Sequence, residues 1–116
     1  MKSARVWLPV FLMALLLVSG TEARNNGWEE RFFKANQLYK EGRFEDAAKD
    51  FSELIQSGRG NGHLYYNLGN AFFRQGRIGH AILNYERAHV LIPRDADLNF
   101  NLRYARNQVR DNTVQP

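Results

Sequence analysis

Sliding the chain against itself by 34 residues superimposes like on like. Ala35 falls on Gly69, Asn36 on Asn70, Leu38 on Phe72, Tyr39 on Phe73, Gly42 on Gly76, Arg43 on Arg77, Ala47 on Ala81 and Phe51 on Tyr85. Self-similarity at such a period marks an array of small structural units, none of which can bury its apolar face alone, so neighbours must stack. The 116 residues bound the chain to one small domain plus whatever the N-terminal stretch contributes.

Within each unit, apolar residues recur at three- and four-residue steps in two stretches separated by Gly42 or Gly76. The spacing predicts antiparallel helix pairs, with helices over 28–40, 44–56, 62–75 and 78–91. Pro93 stops the fourth. Asp95 then offers an N-cap for a fifth helix over 96–110, whose Leu98, Leu102 and Ala105 form an apolar stripe, with residues 111–116 as a tail. The expected fold class is all-α: two antiparallel helix pairs, 28–61 and 62–95, closed by a C-terminal capping helix.

The stretch "YYNLGNAFFRQG" sets two glycines among four rings. A glycine inside a helix costs about 1 kcal/mol relative to alanine, so Gly69, and Ala35 in the same place, are expected where two helices come too close for a larger side chain. Gly42 and Gly76 follow the last turn of a first helix, where a left-handed backbone suits a residue without a β-carbon. Phe33 and Phe72 are expected to fill the core.

The N-terminus reads as an address. Lys2 and Arg5 precede the thirteen-residue apolar run "VWLPVFLMALLLV", and small and polar residues ending in "TEA" follow. The pattern predicts a secretory signal over 1–23, cleaved after Ala23 or, as second choice, after Gly20, with an uncleaved anchor as the alternative, and 24–27 as linker. The run is shorter than the roughly 20 residues a spanning helix needs, and Pro9 interrupts it. Loss of the leader removes Lys2, Arg5 and Glu22 and lowers the formal charge from +4 to +3, too mild for a nucleic-acid partner. With no cysteine, neither disulfides nor thiolate metal sites are available.

The period, together with "YYNLGNAFFRQGRIGHAILNYERAHVLIPRD", resembles the tetratricopeptide repeat. Ala35, Gly42, Ala47 and Phe51 in the first unit, and Gly69, Gly76, Ala81, Tyr85, Ala88 and Pro93 in the second, stand at the structural positions of that family. The resemblance implies a short solenoid in which the first helices of successive units line a concave groove. Carried over residue by residue, that groove would present Phe32, Asn36, Tyr39 and Lys40, then Tyr66, Asn67, Asn70, Phe73 and Arg74, with Phe100, Asn101 and Tyr104 from the fifth helix. Rings supply contact area at low entropic cost, and asparagine amides bond both donors and acceptors, a surface suited to a peptide.

Some relatives hold a terminal carboxylate with two asparagines and several basic residues. Asn36 and Asn67 match the amides, but Phe32, Asp97 and Asn101 stand where positive charge is needed, so that activity does not follow. The longer stretch from His63 to Arg106, including "DADLNFNL", resembles the repeat region of BatE-type aerotolerance proteins of bacteria. That resemblance implies a protein partner of the bacterial cell envelope, a location in the periplasm or on the membrane face turned to it, and proximity to the membrane.

His63, His80 and His89 show no metal-ligand spacing on one helix face, the acidic residues lie on helix exteriors, and Ser52 and Ser57 have no base at a recognisable spacing. No enzyme, metal or cofactor is expected. The expected function is an exported adaptor or scaffold binding a segment of a partner protein. The alternative is a homo-oligomeric structural subunit joined through its first helix, where Phe32 and Phe33 are exposed, with no peptide ligand. A third reading gives the arginine-rich second unit an anionic polymer or lipid surface.

Overall fold

The computed structural model describes residues 27–113, so the expected leader over 1–23 and the last three residues lie outside the described part. A compact unit begins at Arg31; of the preceding unit only residues 27–30 are described, and they are helical. Five helices follow in order: α1 over 27–40, α2 Phe44–Leu54, α3 Gly62–Arg74, α4 Ile78–Leu91 and α5 Ala96–Thr113. Among the described residues there is no strand.

Cross-helix contacts fix the directions. Along the second hairpin, Phe72 meets His80, Gly69 meets Tyr85 and Gly62 meets Ile92, so α4 runs back along α3. Along the first, Tyr39 meets Phe44, Phe32 meets Phe51 and Arg31 pairs with Glu53, the same antiparallel order. The two pairings Arg106–Glu86 and His89–Asn99 show α5 antiparallel to α4. In contrast, Tyr66 and Asn70 meet Asn101 while Phe73 meets Tyr104, so α5 lies parallel to α3 as a further first helix.

Two turns repeat with the 34-residue period. Gly42 and Gly76 both take the left-handed backbone, at φ +81° and +76°, and the next residues, Arg43 and Arg77, return their N–H groups to Leu38 and Phe72. Asn61 and Asp95 also stand 34 residues apart, and each accepts from the backbone N–H three residues on, Leu64 or Leu98, at 2.9 Å. These caps satisfy donors that a helix start leaves orphaned. The sequence reading predicts this role for Asp95, and the structure adds Asn61.

The core follows the helix stripes. Ala35, Leu38, Ala47, Phe51 and Leu54 are buried in the first hairpin, Leu64, Leu68, Ala71, Ala81, Tyr85 and Ala88 in the second, and Leu98, Leu102 and Ala105 of α5 complete it. Ala81, Tyr85 and Ala88 form one cluster with the three α5 residues, so the fifth helix covers the second hairpin.

Several expectations are corrected. The second helix does not run regularly to residue 56: after Leu54 the chain widens into a π-type turn, Ile55–Arg59, with Gly58 at φ +87°. A glycine in that conformation ends regular helix without a side-chain clash. The fifth helix continues to Thr113, absorbing half of the expected tail. Phe33 is 64 % exposed and does not belong to the core, because Ala35 and Leu38 define the buried stripe of α1. Phe72 is half-buried, its ring against His80 on one side and the Arg77 guanidinium on another.

Candidate functional site

Three parallel helices, α1, α3 and α5, form the side of the molecule on which the repeat's first helices stand together. Between them lies a cavity of about 390 Å³, lined by Tyr39 of α1, by Tyr66, Asn70, Phe73 and Arg74 of α3, by Tyr85 of α4, and by Phe100, Asn101 and Tyr104 of α5. A small adjoining hollow is bounded by Asn36, Tyr39, Phe51, Asn67 and Asn70, so Tyr39 and Asn70 border both spaces.

The floor is a hydrogen-bonded set joining three helices. The Tyr85 hydroxyl donates to Asn70 Oδ1 at 2.6 Å, and Asn101 Nδ2 donates to the same oxygen at 3.0 Å and to the Tyr66 hydroxyl at 3.1 Å. Burial pushes the Tyr85 hydroxyl well above the usual phenol range and also raises that of Tyr66; the hydrogen bond with Asn70 opposes the latter, and the Asp97 and Asp95 carboxylates add to it. Both phenols therefore stay protonated at neutral pH, and the floor is uncharged.

Gly69 makes this arrangement possible. A β-carbon there would stand 2.6 Å from the Tyr85 ring, so only glycine lets the ring lie across α3 with its hydroxyl reaching Asn70. Tyr85 thus belongs to the cavity as well as to the core, a role that the sequence reading assigned only to the core. The signal was present: a polar-tipped ring opposite a helical glycine is placed to reach past it.

The rim is aromatic. Phe100 and Tyr104 stack at 6.4 Å with their planes 15° apart, Tyr104 meets Phe73 at 5.8 Å, and the two α5 rings are 61 % and 49 % exposed. These rings leave an apolar patch open to solvent at the mouth of the cavity.

Of the expected groove residues, Tyr39, Tyr66, Asn70, Phe73, Arg74, Asn101 and Tyr104 stand together around the cavity. Asn36 and Asn67 border the smaller hollow, and the Asn36 amide donates to the Phe32 carbonyl of its own helix at 3.1 Å. Phe32 packs edge-on against Phe51, in the seam between α1 and α2. Lys40 is exposed and borders neither space. The Arg74 guanidinium lies 4.5 Å over the Phe44 ring, which holds it to one wall.

Among the described residues, no group of three or more His, Asp or Glu side chains could hold a metal ion. His80 contacts Arg77, His89 pairs with Asn99, and the ion pairs Arg31–Glu53, Arg43–Asp46 and Arg106–Glu86 lie on the surface. No helix of the described residues is long and apolar enough to cross a membrane.

Comparison with curated proteins finds no match. The tetratricopeptide repeat family matches residues 62–95, the hairpin of α3 and α4 with the turn that leads into α5. Repeats of that family serve as protein–protein interaction modules and are typically non-catalytic, so the second hairpin is similar to a module whose business is to hold another polypeptide.

Proposed function

We propose that this chain is an exported adaptor or scaffold that binds a segment of a partner protein in the groove between α1, α3 and α5. One observation carries the reading: an uncharged, internally bonded floor of Tyr66, Asn70, Tyr85 and Asn101 lies beneath an exposed aromatic rim of Phe73, Phe100 and Tyr104. Such a surface gives a peptide both area and hydrogen-bonding partners. The leader-like pattern over 1–23 supports export, and the resemblance of residues 63–106 to BatE-type proteins supports a partner in the bacterial cell envelope, on the periplasmic side and near the membrane. No catalysis, metal or cofactor enters this reading.

Cross-linking in intact cells, followed by identification of the captured protein, tests it. Capture that disappears in the Tyr66→Ala, Asn70→Ala, Arg74→Ala triple variant, with the helical melt retained, is the expected result. Capture unaffected by the triple variant overturns the groove as the binding site.

A second reading has its own observation, the exposure of Phe33 on α1. A homo-oligomer joined there would show a concentration-dependent mass in sedimentation that Phe33→Ser abolishes. A concentration-independent monomer removes this alternative.

A further inference from the structure

The hydrogen-bond pattern of the floor restricts which side chain the groove can accept. Both lone pairs of Asn70 Oδ1 are occupied, one by the Tyr85 hydroxyl and one by Asn101 Nδ2. The Asn70 N–H₂ group, one hydrogen of which serves the Tyr66 hydroxyl, keeps a second hydrogen to donate. The Tyr66 oxygen accepts from Asn101, which leaves its own hydrogen available, and the Asn101 carbonyl remains as an acceptor. The floor thus offers donors and an acceptor side by side, with apolar rings above them.

Charge does not suit this place. An anionic side chain at the floor would meet the field of Asp97 and Asp95, which already acts on Tyr66 and opposes the attraction of Arg74 on the wall. A cationic one would meet Arg74 on the wall. A purely apolar side chain would fill the aromatic mouth but strip water from the floor groups without replacing its hydrogen bonds, a loss for each buried group left unpaired.

We infer that the groove recognises its partner through one amphipathic aromatic side chain, a tyrosine, whose ring seats among Phe73, Phe100 and Tyr104 and whose hydroxyl bonds the Asn70–Asn101 floor. This inference rests on the proposed peptide-binding function. A phenol hydroxyl both donates and accepts, so it pairs with the Asn70 N–H and the Asn101 carbonyl together; an indole only donates and satisfies the second alone. A cavity of about 390 Å³ is within the range of sites that enclose small ligands.

Titration of the full chain with N-acetyl-tyrosinamide, N-acetyl-phenylalaninamide, N-acetyl-lysinamide and N-acetyl-glutamate, followed by NMR at the side-chain amides of Asn70 and Asn101, tests the inference. The tyrosine compound is expected to shift both amides and to bind tightest. The phenylalanine compound should be roughly threefold to tenfold weaker, the ratio one net hydrogen bond supports. In the Asn101→Ala variant that ratio should approach one. Equal or tighter binding of the phenylalanine, lysine or glutamate compound, or no shift at either amide, overturns the inference. If a captured partner needs the groove yet the wild-type series shows no tyrosine preference, the inference alone fails. A tyrosine preference alongside capture that ignores the groove variants sinks the broader functional reading and leaves the side-chain site standing.

Discussion

A β-carbon at Gly69 would come within 2.6 Å of two Tyr85 ring atoms, and that ring is held from its other end by a 2.6 Å hydrogen bond to Asn70, one residue beyond the glycine. The ring is buried and tethered, so it cannot slide aside. One contact thereby fixes how closely α3 and α4 pack and where the floor of the groove lies.

Replacing Gly69 therefore sets two effects against each other. Alanine improves helix propensity by about 1 kcal/mol, but the close approach requires α3 and α4 to part. Gly69→Ala is expected to melt below wild type, and Gly69→Leu to lose about 1–3 kcal/mol by overpacking. Thermal denaturation followed by circular dichroism checks both; a Gly69→Leu protein as stable as wild type would show that the helix contact is elsewhere.

Gly76 is a different case, since nothing lies within 4 Å of where its β-carbon would be, while its φ is +76°. The expected cost of Gly76→Ala is about 1–2 kcal/mol from backbone strain alone. Asparagine tolerates this region better, so Gly76→Asn should unfold at a temperature between alanine and wild type in the same melt.

Removing the lid should expose the second hairpin. Leu98 is fully buried against Ala81, Tyr85 and Ala88, and Leu98→Ala is expected to lose about 2–5 kcal/mol in chemical denaturation. Deletion from Asp95 onward leaves that cluster bare and should give an aggregating or molten product. A sharp, reversible melt of the truncated chain would contradict the lid.

Alkaline pH provides a direct probe of the floor. The Tyr85 hydroxyl titrates above the ordinary phenol value in the folded chain because burial disfavours its charge. Between the two values the unfolded chain binds fewer protons than the folded one, so stability is full below about pH 10 and declines above it. Urea midpoints measured across this range should fall with pH, and the fall should be shallower in Tyr85→Phe. At neutral pH that variant is expected to cost about 0.5–1.5 kcal/mol for the lost hydrogen bond.

The helical architecture was legible because it is written in local, periodic signals. Apolar steps of three and four, the glycines at 42 and 76, Pro93 and the Asp95 cap act within a few residues, and the 34-residue period tells how the pieces stack. The same period relates Leu64 to Leu98, Tyr66 to Phe100, Asn67 to Asn101 and Leu68 to Leu102, which marks α5 as a further first helix and accounts for its place beside α3. The π-type turn at Ile55–Arg59 was not legible, since the sequence around Gly58 allows more than one way to end a helix. The sequence leaves Phe33 open between core and surface, because a ring at the edge of an apolar stripe can face either way until its neighbours are placed.

The sequence by itself determined five helices, their order, and which small residues sit where helices meet, because helix periodicity and backbone conformation are decided by near neighbours. Only the tertiary structure decided that Tyr85 crosses under Gly69 to reach Asn70, that Asn101 ties α5 to the same oxygen, and that Lys40 and Phe32 stand apart from the cavity. Those outcomes depend on the rotation of each helix about its axis and on which amide finds which partner across 15 or 31 residues. Such choices are settled by packing between helices, which no single helix encodes.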